Sequence, residues 1–221
     1  MLVMKFGGTS VQDASALRKV ASIVSSHPAE PGGVLVVMSA TSGTTNLLLS
    51  LAERAGRGDD IDAELAGLAT RHTEILAELA PSASHVDLIH VLNECKAYAR
   101  ALQVLGECTA QSLDHMASFG ERLSTTILYS ALRSENTAAI YFDVRNVMRT
   151  NDIFCSATVN MHDTRILCQQ QLAPLCATDS IVITQGFIGS TADDRTTTLG
   201  RGGSDYTAAI LAEGIGADTL E

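Results

Sequence analysis

Two short apolar runs, Leu2–Phe6 and Val34–Met38, flank a segment from Asp13 to Ser26 in which Ala14, Leu17, Val20, Ala21 and Val24 recur at helical spacing. Asp13 stands where an N-cap belongs, and Pro28 to Gly33 breaks the pattern. Neither apolar run alternates with polar residues, which is the signature of strands buried on both faces. The opening therefore reads as strand, helix and parallel strand in a sheet covered by helices. From Ser42 to about Arg133 the spacing is almost wholly helical. Asn46–Arg54, Ile61–Leu79, Val86–Leu105 and Thr109–Leu132 each place apolar residues at i, i+3 and i+4. Turns separate them at Gly56–Asp60 and Pro81-Ser82. Strand character returns at Ala138–Phe142, a helix is expected over Asp163–Ala177, and a strand over Ser180–Thr184. The polar, Gly/Thr-rich stretch from Gly186 to Gly203 reads as a loop, and a last helix runs from Ser204 to about Glu213. The pattern predicts an α/β architecture, a mostly parallel sheet with a helical insertion in its middle.

Composition narrows the class of partner. The 221 residues are 46% hydrophobic and 18% charged, enough for a sizeable core, and the net charge is −10. An acidic chain with no Lys/Arg run disfavours nucleic acid or an anionic membrane as a general partner. It leaves open an anionic small molecule, which feels only the local field of its pocket. No run of about 18 apolar residues would span a membrane, and glycines arrive too early at the N-terminus for a signal peptide. Five cysteines without a C-x-x-C pair fit reduced thiols in a cytosolic protein better than a disulfide framework or a zinc site.

Ligands of open α/β sheets sit outside the carboxyl ends of the strands, so the loops there carry the candidate chemistry. Lys5-Phe6-Gly7-Gly8-Thr9-Ser10 ends the first strand. Its glycines allow backbone N–H groups to approach an anion, and Lys5 supplies a point charge. A tight strand-to-helix turn with a solvated Lys explains the same residues, and no G-x-x-x-x-G-K-[ST] occurs. Ser39-Ala40-Thr41-Ser42-Gly43-Thr44-Thr45-Asn46 follows the second strand, either as a hydroxyl-rich binding loop or as simple helix capping. Phe119-Gly120-Glu121 lies within a helix, where Gly120 costs roughly 1 kcal/mol relative to Ala unless a close approach requires it. Glu121 is either a carboxylate for an ammonium group or a solvated surface residue. In Leu199-Gly200-Arg201-Gly202-Gly203-Ser204-Asp205, an Arg flanked by glycines suits bidentate recognition of a carboxylate or phosphate, and Asp205 sits at the positive end of a helix. A dinucleotide-binding dehydrogenase is poorly supported, because no G-x-G-x-x-G follows a strand.

Together these segments resemble aspartate kinase, of the amino-acid kinase superfamily. Beyond the loops above, the resemblance includes Phe142-Asp143-Val144-Arg145, Arg149-Thr150-Asn151-Asp152 and Thr184-Gln185-Gly186-Phe187-Ile188-Gly189, and it runs from residue 2 to 218. It implies a three-layer α/β/α fold with a helical insertion at about 56–108. Residues 1–221 would be the N-terminal, aspartate-binding portion of a catalytic domain, without ACT domains. By position, the resemblance makes Lys5 and Asp205 catalytic and assigns Lys5, Gly7, Gly8, Thr9 and Ser39 to nucleotide phosphates. Thr45, Glu121, Arg201, Ser204 and Asp205 would bind L-aspartate, and no protein-held metal is implied. The implied reaction uses ATP and Mg²⁺ and gives 4-phospho-L-aspartate, the first step of lysine, threonine and methionine biosynthesis, in a cytoplasmic homo-oligomer. Such enzymes continue past Ala217-Asp218 into a nucleotide-holding half, whereas this sequence stops at Glu221. The expectation is therefore a fragment with little activity alone. A non-catalytic truncated paralogue that binds an amino acid or a partner is the competing reading.

Overall fold

The computed structural model describes residues 1–27 and 33–221, so most of the breaker expected at Pro28 to Gly33 lies outside the described residues. Five parallel strands form the main sheet in the order β3-β4-β2-β1-β7. They are β1 (Leu2–Phe6), β2 (Val34–Met38), β3 (Ala139–Phe142), β4 (Ile181–Gln185) and β7 (Thr219–Leu220). Side chains of a strand alternate between faces, and the sheet sorts its apolar residues accordingly. Met4, Val34, Val36, Met38, Ile181 and Ile183 join one hydrophobic cluster. Val3, Leu35, Val37 and Val182 join a second cluster on the opposite face.

Helices cover both faces, giving three layers. The first face carries α1 (Ala14–Ser26), α2 (Thr44–Gly56), α3 (Asp62–Leu79), α4 (Val86–Leu105) and α5 (Ala110–Ser134). The second carries α6 (Met161–Leu167), α7 (Ala173–Cys176) and α8 (Gly203–Ile215). Asp13 caps α1 as its position suggests, accepting from the Ala16 N–H at 2.8 Å, and Thr109 caps α5 through the Ser112 N–H at 3.1 Å. Within the 56–108 stretch, α3 and α4 pack against α1, α2 and α5, and their apolar residues share the first cluster.

Three features differ from the sequence pattern. The helix expected over Asp163–Ala177 is broken by a π-helical turn at Cys168–Leu172. Pro174, with no N–H to donate and a ring that crowds the preceding turn, accounts for it. The stretch read as a loop contains an antiparallel hairpin, β5 (Ile188–Ser190) with β6 (Thr196–Thr198). Its three buried threonines are polar yet satisfied internally, so it has no apolar signature. Arg145 donates to the Thr196 hydroxyl at 3.0 Å, Thr197 bonds Thr150 at 2.7 Å, and the Thr198 hydroxyl donates to Asp114 at 2.6 Å. The two-residue β7 also went unanticipated, being too short for any periodicity.

No described helix is long and apolar enough to cross a membrane. All five cysteines are free: Cys95, Cys168 and Cys176 are buried, Cys108 is half-buried and Cys155 exposed.

Candidate active site

The carboxyl ends of β1, β2 and β4 converge on the start of α2, the middle of α5 and the start of α8. Two adjoining cavities lie there. The larger, about 410 Å³, is lined by Gly8, Thr9, the loop 39–43, Thr45, Asn46 and Glu121. The smaller, about 280 Å³, is lined by Lys5, Ser39, Thr45, Glu121, Phe187, Gly200 and residues 202–205. Ser39, Thr45 and Glu121 border both, so the two spaces share a wall.

The larger cavity is suited to an anion. Unlike α1 and α5, α2 and α8 begin at glycines, Gly43 at φ +80° and Gly202 at φ +72°, with no side chain capping their first turns. The hydroxyls after β2 do not cap α2 either: Thr41 and Thr44 bond each other at 2.6 Å. Both helix N-termini thus face the cavities with N–H groups available to a ligand. Gly8 lets the first loop nest against the second, since a Cβ there would stand 3.2 Å from the Ala40 carbonyl oxygen.

Glu121 sits at the junction. The glycine before it, read from sequence as demanding a close approach, makes one: a Cβ on Gly120 would lie 2.8 Å from the Cβ of Ala40. That contact brings α5 against the loop after β2, where Glu121 Oε1 accepts the Ala40 N–H at 3.2 Å. The residue is only 3% exposed, and its Oε2 has no partner. Burial pushes its carboxyl up to about 8, with the Ala40 N–H opposing the shift only in part. A cation placed at Oε2 would supply the missing partner and favour the charged form.

Across the smaller cavity, Lys5 Nζ pairs with Asp205 Oδ1 at 2.6 Å. This contact joins the end of β1 to the first turn of α8, where a carboxylate also gains from the helix dipole. Close packing sets the α8 start against the chain after β4. A Cβ on Gly186 would meet Ser204 at 2.7 Å, and one on Gly203 would meet the Phe187 ring at 2.7 Å. Of the residues singled out from sequence, Lys5, Gly8, Thr9, Ser39, Thr45, Glu121, Ser204 and Asp205 border the cavities. Gly7 stands beside Lys5, its virtual Cβ 3.3 Å from Nζ, without lining either. Arg201 is exposed and borders neither cavity. Its flanking glycines are required by the backbone, because Gly200 and Gly202 both take positive φ.

Asp114 was not singled out from sequence. On α5 and 1% exposed, it accepts from Thr198 N at 3.0 Å, Thr198 Oγ1 at 2.6 Å and Cys155 N at 2.9 Å. Desolvation raises its carboxyl while those donors pull the other way. It anchors the strand that leads into Gly200–Asp205. Asp143 and Arg145, also part of the resemblance, pair at 2.6 Å and hold the same hairpin. Arg149 does so through Ser190 and Asp194, each at 2.8 Å.

The chain is 41% identical over 223 residues to lysine-sensitive aspartokinase 3 of Escherichia coli (strain K12), an alignment that covers 100% of this chain and 48% of that protein. It is 29% identical to chloroplastic aspartokinase 1 of Arabidopsis thaliana, over 99% of this chain and 39% of the relative. The crystal structure of E. coli aspartokinase III in complex with aspartate and ADP superposes with a TM-score of 0.88 at 39% identity, covering all of this chain and 48% of that one. The aspartate kinase of Clostridium acetobutylicum follows at 0.80 and 26% identity, covering 100% of this chain and 46% of that one. The chain spans about half the length of these relatives or less. The amino acid kinase family profile matches residues 1–221 throughout, and the chain belongs to that family.

Proposed function

We propose that this chain is the aspartate-binding and phosphate-cradling part of an aspartate kinase, which transfers the γ-phosphoryl group of ATP to the β-carboxylate of L-aspartate to give 4-phospho-L-aspartate. The observation that carries this reading is Glu121, a buried carboxyl whose unpartnered oxygen lies in the wall between an anion-suited cavity and an ion-paired one. An α-amino acid matches that wall: its ammonium meets Glu121, while its carboxylates lie within the field of Lys5 and the α8 N-terminus. Thr45 and Ser204 supply neutral hydrogen-bonding groups, and Arg201, exposed between the cavity-lining Gly200 and Gly202, would have to fold over the substrate to reach its carboxylate.

The remaining roles are those of positioning and charge stabilisation, which dominate phosphoryl transfer. A β-carboxylate is already a nucleophile and needs no general base. Gly7, Gly8, Thr9 and Ser39, with the open start of α2, face the phosphates. Lys5, released from Asp205, stabilises charge on the group in transit. Among the described residues no cluster of three or more His, Cys, Asp or Glu is placed to hold a metal. Mg²⁺ would come with the nucleotide phosphates, where it would neutralise their charge. In this reading residues 1–221 form one unit with its insertion at about 56–108, in a cytoplasmic homo-oligomer serving lysine and threonine biosynthesis.

The test is acyl-phosphate formation. The intact protein, given ATP, Mg²⁺ and hydroxylamine, should yield the aspartyl hydroxamate with L-aspartate and little product with glutamate. Faster turnover of another carboxylate would reassign the substrate. Aspartate binding without any hydroxamate would favour a non-catalytic amino-acid-binding module.

A further inference from the structure

One pair of residues on α3, in the helical insertion, reaches the site loops from behind. Arg71 donates through Nη2 to the Gln12 carbonyl at 3.2 Å and to the Ser42 carbonyl at 2.9 Å. One guanidinium thus ties the segment after β1 to the loop after β2, and these are the two loops that line the larger cavity. His72 is next in sequence and fully buried. Its Nδ1 lies 2.8 Å from the Leu68 carbonyl, which can only accept, so Nδ1 carries the ring proton. Its Nε2 is then an acceptor for the Thr41 hydroxyl at 3.3 Å, and Thr41 accepts in turn from Thr44 at 2.6 Å. Thr41 and Thr44 are themselves buried, and Thr44 adjoins Thr45 at the wall between the cavities. Burial pushes the imidazole down to about 4, which keeps it neutral and the chain of donors in one direction near neutral pH.

The geometry points to Arg71 and His72 as positioning residues, which fix the spacing and orientation of the two phosphate-facing loops from within the insertion. Neither side chain touches the space where substrate would lie, so each acts through the backbone of Gln12 and Ser42 or the hydroxyls of Thr41 and Thr44. The proposal rests on the phosphoryl-transfer reading above for its kinetic consequence, and on hydrogen bonds alone for its structural one. Misplacement of reacting groups by about 1 Å can cost on the order of 100-fold in rate. Loosening one of two loops should therefore lower turnover well before it unfolds the chain.

Four variants of the intact protein separate this from a merely structural role. Arg71→Met keeps the apolar stem and removes the fork, and Arg71→Lys restores one donor. His72→Phe keeps the ring shape without an acceptor, and His72→Gln returns an acceptor near the Nε2 position. Expected for Arg71→Met and His72→Phe are a kcat about tenfold lower, weaker Mg·ADP binding and a KM for aspartate within about twofold of wild type. Lys and Gln should recover part of the loss. Hydrogen exchange at the Ser10 and Thr44 amides, which donate to Gly7 and Thr41, should quicken about tenfold in the two disruptive variants. Unchanged kcat, Mg·ADP affinity and exchange at those amides would overturn the proposal, whatever happened to the melting temperature. Equal losses of aspartate and nucleotide binding that track the unfolded fraction would overturn it as well. If wild type bound neither ligand, the functional reading would fall while the exchange measurement still judged the brace.

Discussion

Replacing Glu121 by Gln isolates the cost of keeping a carboxyl in a dry wall with one oxygen unsatisfied. The ordinary value for such a group is 4.5, and burial takes it to about 8. At about 1.36 kcal/mol per pH unit, that difference corresponds to roughly 5 kcal/mol between the protonated and charged forms in the folded chain. Between these two values the folded chain holds a proton that the unfolded chain has given up. Stability contributed by this group is therefore greatest below pH 4.5, falls as pH rises through the window, and is lost in full above about 8. Glutamine mimics the protonated acid: its carbonyl can accept from Ala40, and its amide occupies the place of the unpartnered oxygen. The Lys5–Asp205 pair and every other titrating group are common to both proteins, so their contributions cancel in the difference. In urea titrations without ligand, Glu121→Gln should exceed wild type by no more than about 1 kcal/mol at pH 5. It should exceed wild type by about 3 kcal/mol at pH 7 and by nearer 5 at pH 8.5. Saturating aspartate should stabilise wild type far more than the variant. A gap between the two proteins that stayed constant from pH 5 to 8.5 would refute the buried, protonated carboxyl.

Lys5→Ala should lower kcat far more than it raises the KM for aspartate, because the proposed role uses its charge in the transition state; steady-state kinetics showing only a KM defect would remove Lys5 from the phosphoryl role. Arg201→Ala should weaken aspartate binding by roughly 2–5 kcal/mol if the exposed fork folds over the substrate's carboxylate, and unchanged calorimetric affinity would leave it a surface residue. Gly120→Ala drives a methyl against Ala40 and should cost about 1–3 kcal/mol by overpacking, read as a lower urea midpoint; a neutral result would mean that α5 and the loop after β2 can separate freely.

How far the sequence exposes this molecule depends on whether a residue's role is written in apolar spacing. β1, β2 and β4 have no polar alternation because both their faces are covered, and α1 and α5 announce themselves by caps and by i, i+3, i+4 patterns. The site loops were legible for a related reason: glycines and hydroxyls cluster where backbone must come close to something, as Gly8 and Gly120 do. The hairpin at Thr196–Thr198 was invisible because its buried positions are threonines whose partners lie far away in sequence. Asp114 and Arg71 were missed for the same reason, since a buried or bridging polar group is defined by distant partners and not by local spacing. His72 did leave a trace. It falls on the apolar face with Leu68, Ile75 and Leu76, a position that obliges a histidine to find partners.

The Lys5–Asp205 contact has a consequence for how a ligand arrives. Lys5 lines the smaller cavity and no Lys or Arg lines the larger; its partner carboxylate cancels Lys5 at short range, while a Glu121 carboxyl pushed up to about 8 adds little charge near neutral pH. The basin is thus close to electrically neutral inside a chain of net charge −10. Beyond the short reach of the two helix N-termini and of the exposed Arg201, an approaching anion meets the repulsion of the whole surface first. At a Debye length of about 10 Å in 0.1 M salt that repulsion is largely screened, and at about 30 Å in 0.01 M salt it is not. Association of an anionic nucleotide should therefore speed up as salt is added, the reverse of electrostatic steering. Dissociation should report separately on the contacts of the bound state, among them the proposed exchange of Asp205 for phosphate at Lys5.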